Sequence, residues 1–178
     1  MSPFTDRMIR AAKLEPALYE EVEADKGALG QAMAVVVISS VAAGIGAISV
    51  QGVSGVVIGT ITALIGWYVW AFLTYIIGTK LLPEPQTQAD HGELLRTIGF
   101  ASAPGIIRIA GIIPALQGVV FLAAGIWMLA AMVIGVRQAL DYTSTWRALG
   151  VCVIGWLIQA GIVFLIFKAM GGVPQQPA

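Results

Sequence analysis

The alternation of apolar and polar positions divides the chain into a polar head, five apolar runs and a short tail. Residues 1–28 are amphipathic. Phe4, Met8, Ile9 and Ala12 recur at helical spacing while Arg7, Arg10 and Lys13 fill the remaining faces. This predicts a short helix lying on a membrane surface. Pro16 suits the first turn of a second helix, where its missing N–H would be unpaired in any case. That helix reads ALYEEVEAD, with Leu18 and Val22 four apart. Several of its acids fall near the N-terminus, where the helix dipole favours them.

Residues 29–170 are predicted to be a membrane domain. Its runs, 29–50, 53–78, 98–113, 115–136 and 148–169, compare with the roughly 20 residues that a helix needs to cross about 30 Å of hydrocarbon. The pattern predicts an all-α polytopic protein, a bundle of five transmembrane helices with an N-terminal amphipathic cytoplasmic segment. The first two runs form a hairpin through Gln51-Gly52, the loop LLPEPQTQADHGE separates the second from the third, and 171–178 read as a flexible tail. The third run, GFASAPGIIRIAGIIP, is short and holds two prolines, three glycines and one arginine. It reads as a span bent at Pro104 and ended by Pro114.

Composition agrees with the pattern. Of 178 residues, 58% are hydrophobic and 11% charged, and the mean hydropathy is +0.86. A soluble domain carries about a quarter charged residues, so the class is integral membrane protein. The net charge is zero, which gives no electrostatic footprint for nucleic acid. One cysteine, Cys152, and one histidine, His91, exclude an intramolecular disulfide, a Cys-based zinc cage and a multi-His metal site. Cys152 reads as a small packing residue and His91 as an exposed loop residue. The first apolar run begins only after a head rich in both charge signs, so it is expected to be retained as an anchor rather than cleaved.

Orientation follows from basic residues near the span ends. Arg7, Arg10, Lys13, Lys26, Lys80, Arg96, Arg137 and Arg147 share the side of the N-terminus, whereas Lys168 alone flanks the other side. The N-terminus is therefore expected to be cytoplasmic and the C-terminus outside, with Tyr75, Tyr142 and Trp146 in a cytoplasmic aromatic belt.

The stretches LYEEVEAD (18–25), GQA (30–32), LLRTIGFASAPGII (94–107) and WMLAAMVIGVRQALDYTSTWRAL (127–149) resemble the bacterial branch of the Yip domain family, membrane proteins named for interaction with Ypt/Rab GTPases. The resemblance covers about residues 7 to 168. It implies five membrane helices with a cytoplasmic N-terminus and a place in the bacterial inner membrane. Eukaryotic relatives act in secretory-pathway trafficking through Rab partners, a role not carried over to this prokaryotic-type sequence. The family supplies no catalytic residues.

Four constellations stand out. Gly55, Gly59 and Ala63 lie four apart in the second span, and Gly118 and Gly125 seven apart in the fourth. Such small residues let helix backbones approach in lipid, either within the bundle or against another chain. Arg108 has no acidic partner in any apolar run. It lies about 9 Å from Pro114 along a helix, and either snorkels to the outer headgroups or forms a lipid, ligand or partner site. Gln159 follows Arg147 by twelve residues, as Arg108 follows Arg96, so a hydrogen bond between Arg108 and Gln159 is expected. Pro104 removes a helical hydrogen bond beside them. Lastly, Glu20, Glu21, Glu23 and Asp25 form a solvated acidic face or a cytoplasmic docking surface, because hard cations need a loop that closes around them.

No nucleophile–base set, phosphate loop or metal spacing occurs, so no catalytic residue, metal site or cofactor is expected. The reading is a non-catalytic scaffold or accessory subunit that works through helix packing, with membrane lipids, copies of itself or a larger complex as partners. The alternative is a small transporter or channel with a site near the broken third run.

Overall fold

Proline and glycine set several of the helix boundaries. The computed structural model describes residues 3–169. Its α-helices are α1 (Phe4–Ala12), α2 (Pro16–Ala24), α3 (Leu29–Gly46), α4 (Ile48–Ile76), α5 (His91–Phe100), α6 (Pro114–Ala139) and α7 (Thr145–Ala169). No strand occurs among the described residues. Pro16 and Pro114 each open a helix, as first-turn prolines do. Gly52, at φ +66°, separates the first turn of α4 from the remainder. Glycine reaches that left-handed backbone without a Cβ penalty, and it makes the α3–α4 hairpin where Gln51-Gly52 predicted one. Asp90 and Glu93 cap α5 reciprocally, each carboxylate accepting the other's backbone N–H at 2.8 and 2.7 Å.

Among the described residues, four helical stretches are long and apolar enough to cross a membrane: Lys26–Gly46, Ile48–Leu81, Pro114–Ala139 and Thr145–Ile162. The protein is thus a multi-pass, all-helical membrane protein. The third apolar run is not among these four. Instead of one bent helix over 98–113, it holds the end of α5 and then a 3-10 segment, Ala103–Ile112. The α-helical ladder closes with the Ala101 N–H on the Thr97 carbonyl at 2.9 Å, and the Ser102 N–H already reaches only to Gly99, at 3.1 Å. Pro104 then brings no donor. A 3-10 helix rises about 2.0 Å per residue against 1.5 Å for an α-helix, so the tighter winding lengthens a run that looked too short. The segment lies along α3 in the same direction: a Cβ on Gly99 would meet Ala32, one on Gly105 would meet Ser39, and one on Gly111 would meet the Gly46 carbonyl.

α3 is the central helix. Within its apolar window 44% of residues are buried, against 6% for α4, which lies at the edge. One core cluster joins Leu18, Tyr19 and Val22 of α2 to Ala32, Val35, Phe100 and Ala131. The other joins Ile77, Leu94, Ile98, Val136, Leu140 and Val151. Beyond these clusters α4, α6 and α7 keep apolar faces exposed, with Ile61, Ile65, Val119, Leu122 and Leu157 each more than half accessible.

The N-terminal pair departs from the expected arrangement at Arg7. Arg7, expected on the polar side of α1, is only 2% exposed, while Ile9 of the apolar side is 55% exposed. Its guanidinium donates to Glu21 and Asp25 of α2 at 2.9 Å each, and to Gln31 at 3.0 Å. Counter-charges across the α1–α2 corner thus turn the basic residue inward. Tyr142, expected in an aromatic belt, is buried and donates to the Gly78 and Leu82 carbonyls at 2.9 and 2.7 Å. Trp146 is 82% exposed. His91 is half-buried rather than exposed, edge-on to Tyr68 and Phe72. The tail reading at 171–178 lies outside the described residues.

Candidate functional site

The break after α5 carries an arginine into the helical bundle. Arg108 sits on the 3-10 segment, half-buried. Its Nε donates to the Gly105 carbonyl at 3.0 Å, and its Nη2 donates to the Ser39 hydroxyl at 2.8 Å and the Ser39 carbonyl at 3.2 Å. The guanidinium therefore turns back along α3 instead of snorkelling outward. Gly105 makes this possible, since a Cβ there would press on Ser39, on Nη2 of Arg108 and on the Met128 sulfur. Pro104 is buried at the start of the same segment.

Beside the guanidinium lies a cavity of about 280 Å³. α3 contributes Ser39 and Ser40, α4 contributes Trp67 and Trp70, α6 contributes Met128 and Met132, and α7 contributes Gln159. The expected Arg108–Gln159 hydrogen bond is not made among the described residues. Both residues nevertheless line this cavity. What sequence spacing leaves free is the rotation of the side chain, and the Gly105 carbonyl and Ser39 decide it. Ser39 and Ser40 escaped the sequence reading, although a serine pair inside an apolar run was the available signal. The Ser40 hydroxyl donates to the Val37 carbonyl at 2.9 Å and lies 3.3 Å from the Thr60 hydroxyl, tying α3 to α4. The indole N–H of Trp67 donates to the Leu95 carbonyl at 3.0 Å, and that of Trp70 to the Met132 sulfur at 3.3 Å. Both rings thus present walls rather than donors to the void.

Among the described residues, the glycines of the expected packing ridges meet no other helix. A Cβ on Gly59, Gly118 or Gly125 would meet nothing within 4 Å, and one on Gly55 would meet only Gln51 of its own helix. The close crossings use other glycines. A Cβ on Gly44 would meet Val56, and one on Gly46 would collide with the Arg108 carbonyl. Gly55, Gly59 and Ala63 instead line a shallow groove on the open face of α4 with Gln51, Ser54 and Thr62.

The acidic run is largely engaged, which corrects the solvated-face reading. Glu21 accepts from Arg7 at 2.9 Å and from Arg10 at 2.6 Å, and Asp25 accepts from Arg7. Arg7 holds the Asp25 carboxyl below the usual carboxylate range. Glu20 accepts from the Gln138 amide at 2.6 Å, linking α2 to α6. Glu23 is half-buried, and its carboxyl is pushed up to about 8, first by burial and then by Glu93, Asp141 and Glu20. Arg96 donates to the main-chain carbonyls of Val22 and Glu23 rather than to that carboxylate.

No curated protein and no solved structure matches the chain. The family model of the Yip1 domain matches residues 16–167, a stretch that includes α2 to α6, nearly all of α7 and the Arg108 cavity, and on that match the chain belongs to the Yip1 domain family.

Proposed function

We propose that the protein is a non-catalytic scaffold or accessory subunit of the bacterial inner membrane that assembles with further copies of itself through the open face of α4. The observation that carries this reading is the unused small-residue ridge. Gly55 and Gly59 meet no neighbouring helix among the described residues, and with Ala63 they stand beside Gln51, Ser54 and Thr62. Polar side chains on a lipid-facing helix are unfavourable, whereas a second helix on a small-residue ridge brings close packing and hydrogen-bond partners. A ridge that matches itself suits a two-fold contact.

In this reading the chain crosses the membrane five times, with α5 and the 3-10 segment together as the third pass. The support is their parallel run along α3, from Gly99 beside Ala32 to Gly111 beside Gly46. The N-terminus is cytoplasmic, in keeping with the bias of Arg and Lys toward that side. The transporter alternative is not favoured, because Arg108 is the only ionisable residue among those lining the cavity and transport pathways carry more such groups.

Mass spectrometry of the assembly, released from native membranes in mild detergent, tests the proposal. A defined oligomer that Gly59→Leu converts to monomer is the expected result. A wild-type monomer, or an oligomer indifferent to Gly59→Leu and Gly55→Leu, overturns it.

A further inference from the structure

Among the described residues Arg108 is a cation without a counter-ion. Nε and Nη2 are taken by Gly105 and Ser39, while Nη1 has no hydrogen-bond partner among the described residues. None of the residues lining the adjacent cavity is acidic. An arginine keeps its charge in a protein, and a charge at membrane depth is retained beside a partner or a polar void. Across that void stands Gln159, whose side-chain amide makes no hydrogen bond among the described residues although it faces the same space. Two sets of donors, one of them charged, therefore converge on an empty volume of about 280 Å³. That is just under the usual range for ligand pockets, fitted to a head group rather than a whole amphiphile.

The surroundings give the direction of entry. α4 and α7 close on each other where a Cβ on Gly155 would lie 3.3 Å from the Trp70 ring. Toward the α3–α4 hairpin Ile162, seven residues beyond Gly155 on the same face of α7, is exposed, and Gly161 has open space around it. An apolar chain lying against this face would bring its head to Arg108 from the bilayer itself.

We propose that the Arg108 cavity binds the oxyanion head of a membrane amphiphile, with the acyl portion held between α4 and α7. Phosphate and carboxylate share the required chemistry, an anion that accepts from Nη1 of Arg108 and from the Gln159 amide. The site does not rest on self-association, because every residue in it belongs to one chain, so binding to a monomer supports it as well as binding to an oligomer.

The test is delipidated full-length protein offered phosphatidylglycerol, palmitate or diacylglycerol in turn, with retained lipid read by native mass spectrometry. At least one anionic amphiphile is expected to be retained over diacylglycerol by about tenfold or more, the scale of a charge-assisted hydrogen bond in a dry site. Which of the two prevails separates phosphate from carboxylate. Arg108→Gln should lower retention to the diacylglycerol level, and Arg108→Lys should keep part of it. Equal retention of diacylglycerol by the wild type, or retention unchanged in Arg108→Gln, overturns the proposal. If Arg108→Gln does not fold, Gln159→Trp decides. It fills the void from α7 and leaves the Arg108–Ser39 bonds in place, so loss of the anionic lipid from folded protein supports the site and undiminished retention overturns it.

Discussion

Arg7 donates to Asp25 over 2.9 Å while remaining only 2% exposed, and so fastens α1 to the end of α2. The same guanidinium reaches Glu21 and Gln31. Removing it strips two carboxylates of their common partner, and loss of one member of a buried pair typically costs about 3–5 kcal/mol. Asp25 and Glu21 are 18% and 31% exposed, so water recovers part of this and about 2 kcal/mol is expected for Arg7→Ala. Arg10, 23% exposed, also bonds Glu21, and Arg10→Ala should cost about 1 kcal/mol or less. Thermal melting, with limited proteolysis of residues 3–28, reads both. Equal effects at the two positions would refute the buried role of Arg7.

Glu84 fixes the loop after α4 to the turn before α7. Its carboxylate accepts from the Thr143 N–H at 2.9 Å, the Thr143 hydroxyl at 2.8 Å and the Gln86 amide at 2.6 Å. The Thr143 backbone bond leads in pulling its carboxyl from 4.5 down to about 2. A depressed acid stabilises the fold above its unfolded value, and that contribution is lost as pH falls through the folded one. Wild type should therefore lose stability from about pH 4.5 toward pH 2 more steeply than Glu84→Gln. Parallel acid melting curves for the two proteins would contradict the assignment.

The glycines divide into two sets that a substitution series separates. Gly46→Ala drives a methyl into the Arg108 carbonyl, and Gly99→Ala drives one into Ala32. Both are backbone-level collisions, with a cost of about 1–3 kcal/mol or more. Gly125→Ala enters open space in the middle of a helix, where alanine is better than glycine by about 1 kcal/mol. The expected order of melting temperatures is Gly125→Ala at or above wild type, then wild type, then Gly99→Ala and Gly46→Ala. A destabilised Gly125→Ala would mean that α6 packs differently.

What the sequence makes legible here is local. Pro16, Pro114 and Gly52 constrain their own backbone, so the boundaries they set are readable without a partner. Pro104 announces a break, but not that the chain continues as a 3-10 segment along α3. Small-residue spacing identifies a narrow face of α4 without saying which helix, if any, lies on it. Arg7 reads as solvated because its partners Glu21 and Asp25 stand 14 and 18 residues away. Their meeting depends on the turn at Leu14, whose φ of 62° reverses the chain. Arg108 and Gln159 line one cavity, whereas the hydrogen bond of Arg108 goes to Ser39 because spacing along the chain does not fix the rotation of a side chain.

Glu23 should give the opposite pH response to Glu84. It is half-buried, faces Glu20, Glu93 and Asp141, and has Arg96 directed at its main-chain carbonyl rather than at its carboxylate. Burial first, and these acids second, raise its carboxyl from 4.5 to about 8. The folded protein then holds a proton that the unfolded chain has released across that interval, so stability declines as pH rises from about 4.5 to about 8 and levels off above. Glu23→Gln keeps the neutral form at every pH and removes this decline. Melting temperatures of the two proteins should coincide near pH 5 and diverge toward pH 8.5, with Glu23→Gln the more stable on the alkaline side. The divergence should shrink when Glu93→Gln is added to the wild type, because one of the charges that opposes ionisation of Glu23 is then gone. Identical slopes for wild type and Glu23→Gln would show that the carboxylate is already solvated in the folded protein.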